Sequence, residues 1–191
     1  MLPAIIKNGS MKFTRAGEFH RPSCDGPAVI WKSGTRLWYR NGKLHRPSLD
    51  GPAAIWVNNL FISCEEKRYD SLERGISKLE WRQDGLLHRP YQEGPAMIDN
   101  DGTKEWWDHG MLSRPHKEGP ARIQSDGSKI WCINGMKHRP HKEGPAEIWR
   151  DNTRVYYFLG EKHRPFEDGP AVLLSNGDSQ YWEHGRQMDV S

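Results

Sequence analysis

The stretch HRPSLDGPAAIW, from His45 to Trp56, decides the reading of this chain, because the chain writes it six times. HRPSCDGPAVIW starts at His20, HRPYQEGPAMI at His88, SRPHKEGPARI at Ser113, HRPHKEGPAEIW at His138 and HRPFEDGPAVLL at His163. The starts lie 25, 43, 25, 25 and 25 residues apart, so one period of 25 governs the chain and one copy carries 18 extra residues. A fixed period of this size is the mark of a repeat array. A catalytic site needs its residues once, so repetition points first to architecture.

Counting from the His as position zero, Arg and Pro fill one and two in every copy. Position five is Asp25, Asp50, Glu93, Glu118, Glu143 or Asp168, and Gly-Pro-Ala fills six to eight. Position ten is Ile or Leu. Position eighteen is Trp38, Trp81, Trp106, Trp131, Tyr156 or Tyr181, and position twenty-two is Gly. The N-terminus continues the count as a partial unit, with Phe13 as its aromatic and Gly17 as its Gly. Each unit therefore reads as strand, tight turn, strand, second turn and connector. Asp101-Gly102, Asp126-Gly127 and Asn176-Gly177 sit between β-rich runs, the signal of a hairpin turn whose two central residues both have positive φ. Alternation puts Ala at eight, Ile at ten and the aromatic at eighteen on one face, a thin continuous core as hairpins stack. The fold class expected is all-β: an elongated, twisted antiparallel sheet of stacked hairpin repeats, about seven units. Two strands per repeat advance such an array by roughly 10 Å, giving a single repeat domain over residues 1–191 about 65 Å long.

The opposite face varies, and a binding surface is expected there. Its aromatics are Trp31, Trp56 and Trp149 at position eleven, and Tyr39, Trp107, Tyr157 and Trp182 at position nineteen. Large aromatics are what protein interfaces use as anchors. The insertion, residues 60–77, is charged, and insertions in arrays map to one face, often the binding face. A short helix there would carry Glu66, Arg68, Tyr69, Asp70 and Arg74 as contacts.

The repeated residues read as a connector: His20, Arg21, His45, Arg46, His88, Arg89, Arg114, His138, Arg139, His163 and Arg164. Pro at two fixes φ and withholds a donor. Arg at one and the acid at five would close the loop as a charge-assisted pair. The His would pack on a neighbouring aromatic and bond a backbone carbonyl. No metal is expected, because equivalent His residues about 10 Å apart cannot share an ion whose ligands lie about 2 Å away. His116 and His141 add a second His to two repeats without a common face.

Composition narrows the function. Twenty-eight Lys and Arg against 25 Asp and Glu leave a net charge of +3, weak support for nucleic acid. Cys24, Cys64 and Cys132 are an odd set without metal-ligand spacing and read as reduced thiols of a cytoplasmic protein. No secretory signal or membrane span is evident. No phosphate-cradling loop, His-Glu-x-x-His or Gly-x-Ser-x-Gly is present, so neither an enzyme nor a cofactor is expected. Two rivals stand beside a protein-binding module. One is a single-stranded nucleic-acid binder, with aromatics stacking bases. The other is an enzyme with its site at the insertion. The array starts mid-unit and no polar cap is evident at either end, so open sheet edges predict a homodimer.

The run from Trp38 to Trp56, Trp-Tyr-x-Asn-Gly-Lys-x-His-Arg-Pro-x-x-Asp-Gly-Pro-Ala-x-Ile-Trp, resembles MORN-like hairpin repeats. It is most similar to the longer His-Arg…Gly-Pro-Ala variety met in proteins of tailed phages and large DNA viruses. The likeness covers nearly the whole chain outside the insertion. The period of 25 and the HRPxx(D/E)GPA connector depart from the usual MORN unit. MORN-like repeats are associated with scaffolding, protein binding and, in some cases, membrane lipids. The viral likeness implies a small protein that binds and inhibits a host factor, such as a defence component, in the host cytoplasm.

Overall fold

The computed structural model describes residues 4–58 and 75–189. The chain divides into two compact units, Met1–Gly110 and Met111–Ser191. No α-helix occurs among the described residues, which form short strands joined by turns and six single 3-10 turns. The all-β, antiparallel hairpin architecture expected from the period is what the chain adopts.

In the first unit, neighbouring strands follow chain order: Ala4–Lys7, Ser10–Arg15, Val29–Ile30, Arg36–Leu37, Ala54–Val57, Ile76–Glu80, Met97–Asp99 and Lys104–Glu105. The second unit continues the plan with Arg122–Ile123, Lys129–Ile130, Glu147–Ile148, Arg154–Val155, Val172–Leu173, Ser179–Glu183 and Arg186–Met188. One register recurs. Val29 faces Leu37 and Leu37 faces Ala54; likewise Ile130 faces Glu147 and Glu147 faces Val155. Positions nine and seventeen thus form one column on one face, and ten and sixteen form another on the opposite face.

The turns differ from expectation in an instructive way. The partial first unit keeps the expected turn, with Asn8 (52°) and Gly9 (75°) both positive, but between positions eleven and fifteen of the uninterrupted repeats only position fourteen has positive φ, Gly in most copies and Asn152 (68°) in one. Gly102 lies at 92°, while its N–H donates to Asp99 O at 3.1 Å and Asp99 N–H donates to Thr103 O at 3.0 Å. This is a three-residue loop, a type I turn followed by a left-handed residue. In these repeats the turn with two positive φ values sits at twenty-one and twenty-two, as in Asn41 (49°) and Gly42 (72°). It closes a second, smaller hairpin in each repeat. Tyr39–Arg40 pairs with Lys43–Leu44, Arg82–Gln83 with Leu86–Leu87, Cys132–Ile133 with Met136–Lys137, and Tyr157–Phe158 with Glu161–Lys162.

That second hairpin corrects the expected one-sided core. The Ala at position eight is fully buried in all six copies, and Trp38, Trp81, Trp106, Trp131 and Tyr156 are buried beside it. Each such ring removes about 150–250 Å² from water, on the order of 4–6 kcal/mol of transfer free energy. The opposite face is buried as well. Val29, Leu37 and Ala54 form a cluster against which Phe19, Tyr39, Leu44 and Trp56 pack. In the second unit Ile130 and Cys132 of this face pack with Leu112 and touch Ala121. Side chains at nineteen and twenty-four of the small hairpins lie on the nine/seventeen column and cover what alternation alone would leave to solvent.

Polar residues enter that covered column only with partners. Glu80 binds Arg82 Nε at 2.9 Å, Glu105 accepts from Trp107 Nε1 at 2.7 Å, and Glu147 binds Lys137 Nζ at 2.6 Å. Burial works against the charge of Lys137, but the hydrogen bond and charge of Glu147 prevail and its pKa is raised.

The 18-residue insertion enters at a turn and leaves the sheet register standing. Ala54 still faces Glu80 and Ile55 faces Leu79, with one irregularity at Trp56/Val57. Ile76 and Ser77 belong to a strand. The expected helix and its residues Glu66, Arg68, Tyr69, Asp70 and Arg74 lie outside the described residues.

Candidate functional site

The seven aromatics expected on one exposed face separate into two groups. Trp31 and Trp149, at position eleven, are 42% and 40% exposed. Each opens a main turn: Trp31 N–H donates to Thr35 O, and Trp149 N–H to Thr153 O. Trp56, Tyr39, Trp107, Tyr157 and Trp182 are half-buried. Tyr39 and Trp56 belong to the packing just described, and Trp107 is tied to Glu105. Cations lie over several rings: Lys137 Nζ 4.9 Å from the Tyr157 centroid, Lys162 Nζ 4.4 Å from Trp182 and Lys12 Nζ 4.9 Å from Trp31. Cys132 takes position nineteen in the remaining repeat of the second unit. Burial pushes its thiol up to about 11, which leaves no thiolate nucleophile there at neutral pH.

Trp149 lines an open recess of about 510 Å³ with Arg150, Asp151, Thr153, Asp126 and Ser128. Two successive main turns build it. Ser128 N–H donates to Asp126 Oδ1 at 2.8 Å, Thr153 N–H to Asp151 Oδ1 at 2.9 Å, and Arg150 N–H to Ser128 Oγ at 3.0 Å. The backbone N–H of Ser128 holds the Asp126 carboxyl below its usual range, and that of Thr153 does the same for Asp151. The recess therefore presents an indole between fixed carboxylates and one guanidinium.

The connector residues bind, but not to the expected partners. The His meets a backbone N–H and not a backbone carbonyl, and at His20 the same Nδ1 also lies 3.0 Å from Asn41 Oδ1. The imidazole Nδ1 receives the backbone N–H of the left-handed turn residue at position twenty-one of the same repeat: Asn41 to His20 and Asp84 to His45 at 3.2 Å, His109 to His88, Leu159 to His138 and His184 to His163 at 3.3 Å. Where the chain has Ser113, its Oγ accepts Asn134 N–H at 3.1 Å. Ser and His share the one property this position uses, an acceptor at the right height.

The Arg does not close on the acid at five. Its Nη1 donates to the carbonyl of the Pro at seven, Arg46 to Pro52 and Arg89 to Pro95 at 3.1 Å, Arg139 to Pro145 at 3.3 Å. The guanidinium also lies on the buried aromatic, 4.1 Å from the Trp38 centroid for Arg46 and 4.3 Å from Trp131 for Arg139. Burial lowers the pKa of Arg46, Arg89, Arg114 and Arg139, and the acid at five opposes this through space. The acid bonds backwards instead, to position three of the preceding repeat. Ser23 Oγ donates to Asp50 at 3.0 Å, His116 pairs with Glu143 at 3.2 Å and His141 with Asp168 at 2.9 Å.

Two features escaped the sequence reading. In the second unit the small hairpins expose Ile133, Met136, Phe158 and Leu159, between 36% and 47%. Ile133 and Met136 are cross-strand partners, and the next turn glycine, Gly160, sits beside Met136. Leu159 has φ of 46°, where other repeats place Asn41, Asp84, Asn134 or His. The signal was position twenty, which turns from Arg40 and Gln83 to Ile133 and Phe158. In the first unit His88, Asp108 and His109 bring three donor atoms together.

No helix among the described residues is long and apolar enough to cross a membrane. Comparison with protein-family models, curated proteins and solved structures found no match.

Proposed function

We propose that the chain is a non-enzymatic protein-binding module, acting as a viral protein that inhibits a host factor. The observation that carries the binding role is the exposed apolar group Ile133, Met136, Phe158 and Leu159. Clustered exposed apolar side chains mark interaction surfaces. A left-handed Leu costs roughly 1–2 kcal/mol where Asn costs less, and strain held at an exposed apolar residue is what a contact surface would retain. Trp149 and its charged recess supply a second anchor of the kind interfaces favour. The cations over Trp31, Tyr157 and Trp182 occupy faces that base stacking would need, which weighs against the nucleic-acid reading.

The test is affinity capture from nuclease-treated host lysate with wild-type protein and two variants. Phe158→Glu combined with Met136→Glu installs residues the chain itself carries at these positions, Glu183 and Glu161, so the fold is kept. Trp149→Ala removes the second anchor. The reading expects one stoichiometric protein partner, lost or weakened at least tenfold by the double substitution. Capture that disappears with nuclease, or a partner indifferent to both variants, would sink it.

A further inference from the structure

Equivalent histidines of successive repeats stand about 10 Å apart, too far to share an ion. The small hairpin brings together non-equivalent ones. His88, at position zero, meets His109, at position twenty-one of the same repeat, with their ring centroids 3.9 Å apart. Asp108 Oδ1 lies between them, 3.0 Å from His88 Nδ1 and 2.6 Å from His109 Nδ1. The three donor atoms all lie within 4.8 Å of one another.

Three donor atoms this close can share a cation. His88 Nδ1 accepts the His109 backbone N–H at 3.3 Å, so this nitrogen carries a lone pair and not a proton. That lone pair faces a carboxylate oxygen which also faces a second imidazole nitrogen. One proton between His109 and Asp108 relieves only one of the two contacts. A divalent ion relieves both, with His88 Nδ1 giving up the His109 backbone N–H in exchange for the ion. Around an ion with bonds of about 2.0–2.2 Å, tetrahedral donors stand about 3.3 Å apart. The two separations to Asp108 Oδ1 must open by about 0.3 and 0.7 Å, and the two imidazole nitrogens already lie within 4.8 Å of each other. Asp108 and His109 can move, since their side chains are 58% and 57% exposed. Two imidazoles and one carboxylate suit zinc-like first-row ions, with the remaining positions open to solvent.

The repeats supply an independent observation. Position twenty-one is His only at His109 and His184, and both follow an acid, Asp108 and Glu183. The other occupants, Ala16, Asn41, Asp84, Asn134 and Leu159, follow Arg15, Arg40, Gln83, Ile133 and Phe158, none acidic. The second set is looser. His163 and His184 stack at 4.2 Å, but the carboxylate nearest His184 Nδ1 is Glu161 at 3.8 Å.

We propose that His88, Asp108 and His109 form a binding site for a zinc-class divalent cation. The site takes one ion through His88 Nδ1, Asp108 Oδ1 and His109 Nδ1.

The experiment titrates tag-free full-length protein with Zn²⁺ by calorimetry and with Co²⁺ by visible absorption, at pH 7.5. His109→Asn and Asp108→Asn test the site, and His184→Asn is the control. Asn already stands at position twenty-one in two repeats, Asn41 and Asn134, so the turn is preserved. The expected result is one equivalent bound by wild type and by His184→Asn, with at least a tenfold loss of affinity in the other two variants. Absence of binding to wild type overturns the proposal. So does binding that survives His109→Asn, or that His184→Asn reduces equally.

Discussion

Replacing His138 tests whether the repeated His serves as a hydrogen-bond acceptor. Its Nδ1 takes the Leu159 N–H at 3.3 Å, and its ring meets Phe158 edge-on at 5.2 Å. His138→Ala removes both contacts. Losing the acceptor costs about 1 kcal/mol, and losing the ring contact about 0.5–1 kcal/mol more. His138→Ser should restore the first of these, because Ser113 does the same work for Asn134 in the preceding repeat. The Ser variant should therefore be about 1 kcal/mol more stable than the Ala variant. The pH dependence has a definite sign. Only the imidazole with a free Nδ1 lone pair can accept. Burial first, and His116 second, hold the His138 pKa below 6.5 in the fold; burial and His184 do the same at His163. The unfolded chain then takes up protons first as pH falls. The contribution is fully present above pH 6.5 and is lost as pH drops below it through the folded pKa values. Urea unfolding followed by tryptophan fluorescence at pH 8, 6.5 and 5.5 measures both effects. Wild type should weaken between pH 6.5 and 5.5, and His138→Ser combined with His163→Ser should weaken less. Equal stability of the Ser and Ala variants, or an acid limb unchanged by the double Ser variant, would refute the acceptor role.

Other perturbations probe the packing. Gly51 has φ of 113°, and a Cβ there would lie 3.0 Å from Arg46 Nη1, so Gly51→Ala should cost at least about 2 kcal/mol in a thermal melt. Lys137→Leu leaves the buried Glu147 without its cation and should destabilise by about 3 kcal/mol. Adding Glu147→Val, the residue found at Val29 and Val172, should recover most of that loss; a double variant no better than the single one would contradict it. Thiol titration of the folded protein at pH 8 should label Cys24, which is exposed, well before Cys132. Trp182→Ala should lower the melting temperature by a few degrees while Trp149→Ala leaves it within about a degree, because only the first is half-buried beneath a lysine.

The period, the strand class and the turn positions were legible because each rests on local chemistry. Gly at six and twenty-two, Pro at two and seven, and the apolar pair at eight and ten fix where the chain bends and pairs. The tenancy of the two faces was not legible. Alternation says that Val29 and Trp31 point together and away from Ala28, but it does not say that residues nineteen to twenty-four will fold over one of those faces. The same hairpin explains the other errors. It supplies the left-handed N–H that His20 and His45 accept, and it carries His109 to His88. Ser113 was the clue within reach: a substitution that keeps an oxygen lone pair but no ring signals an acceptor. The Arg was read through its charge, whereas its planar shape on Trp38 and its reach to Pro52 decide its place.

Among the described residues, the side-chain bonds of the connectors stay within a repeat or reach the next one. His20 waits for Asn41, Ser23 for Asp50, His138 for Leu159 and His141 for Asp168. A chain emerging from the ribosome can therefore complete each repeat once the next few dozen residues have appeared, without waiting for its far end. The exception is His45, whose partner Asp84 follows 39 residues later, across the insertion. Completion of that repeat waits for the insertion to be made, so the His45 acceptor stays unpaired for longer than those of the other described connectors. The same delay makes that repeat the natural place for a growing chain to be caught by whatever surveys incomplete proteins.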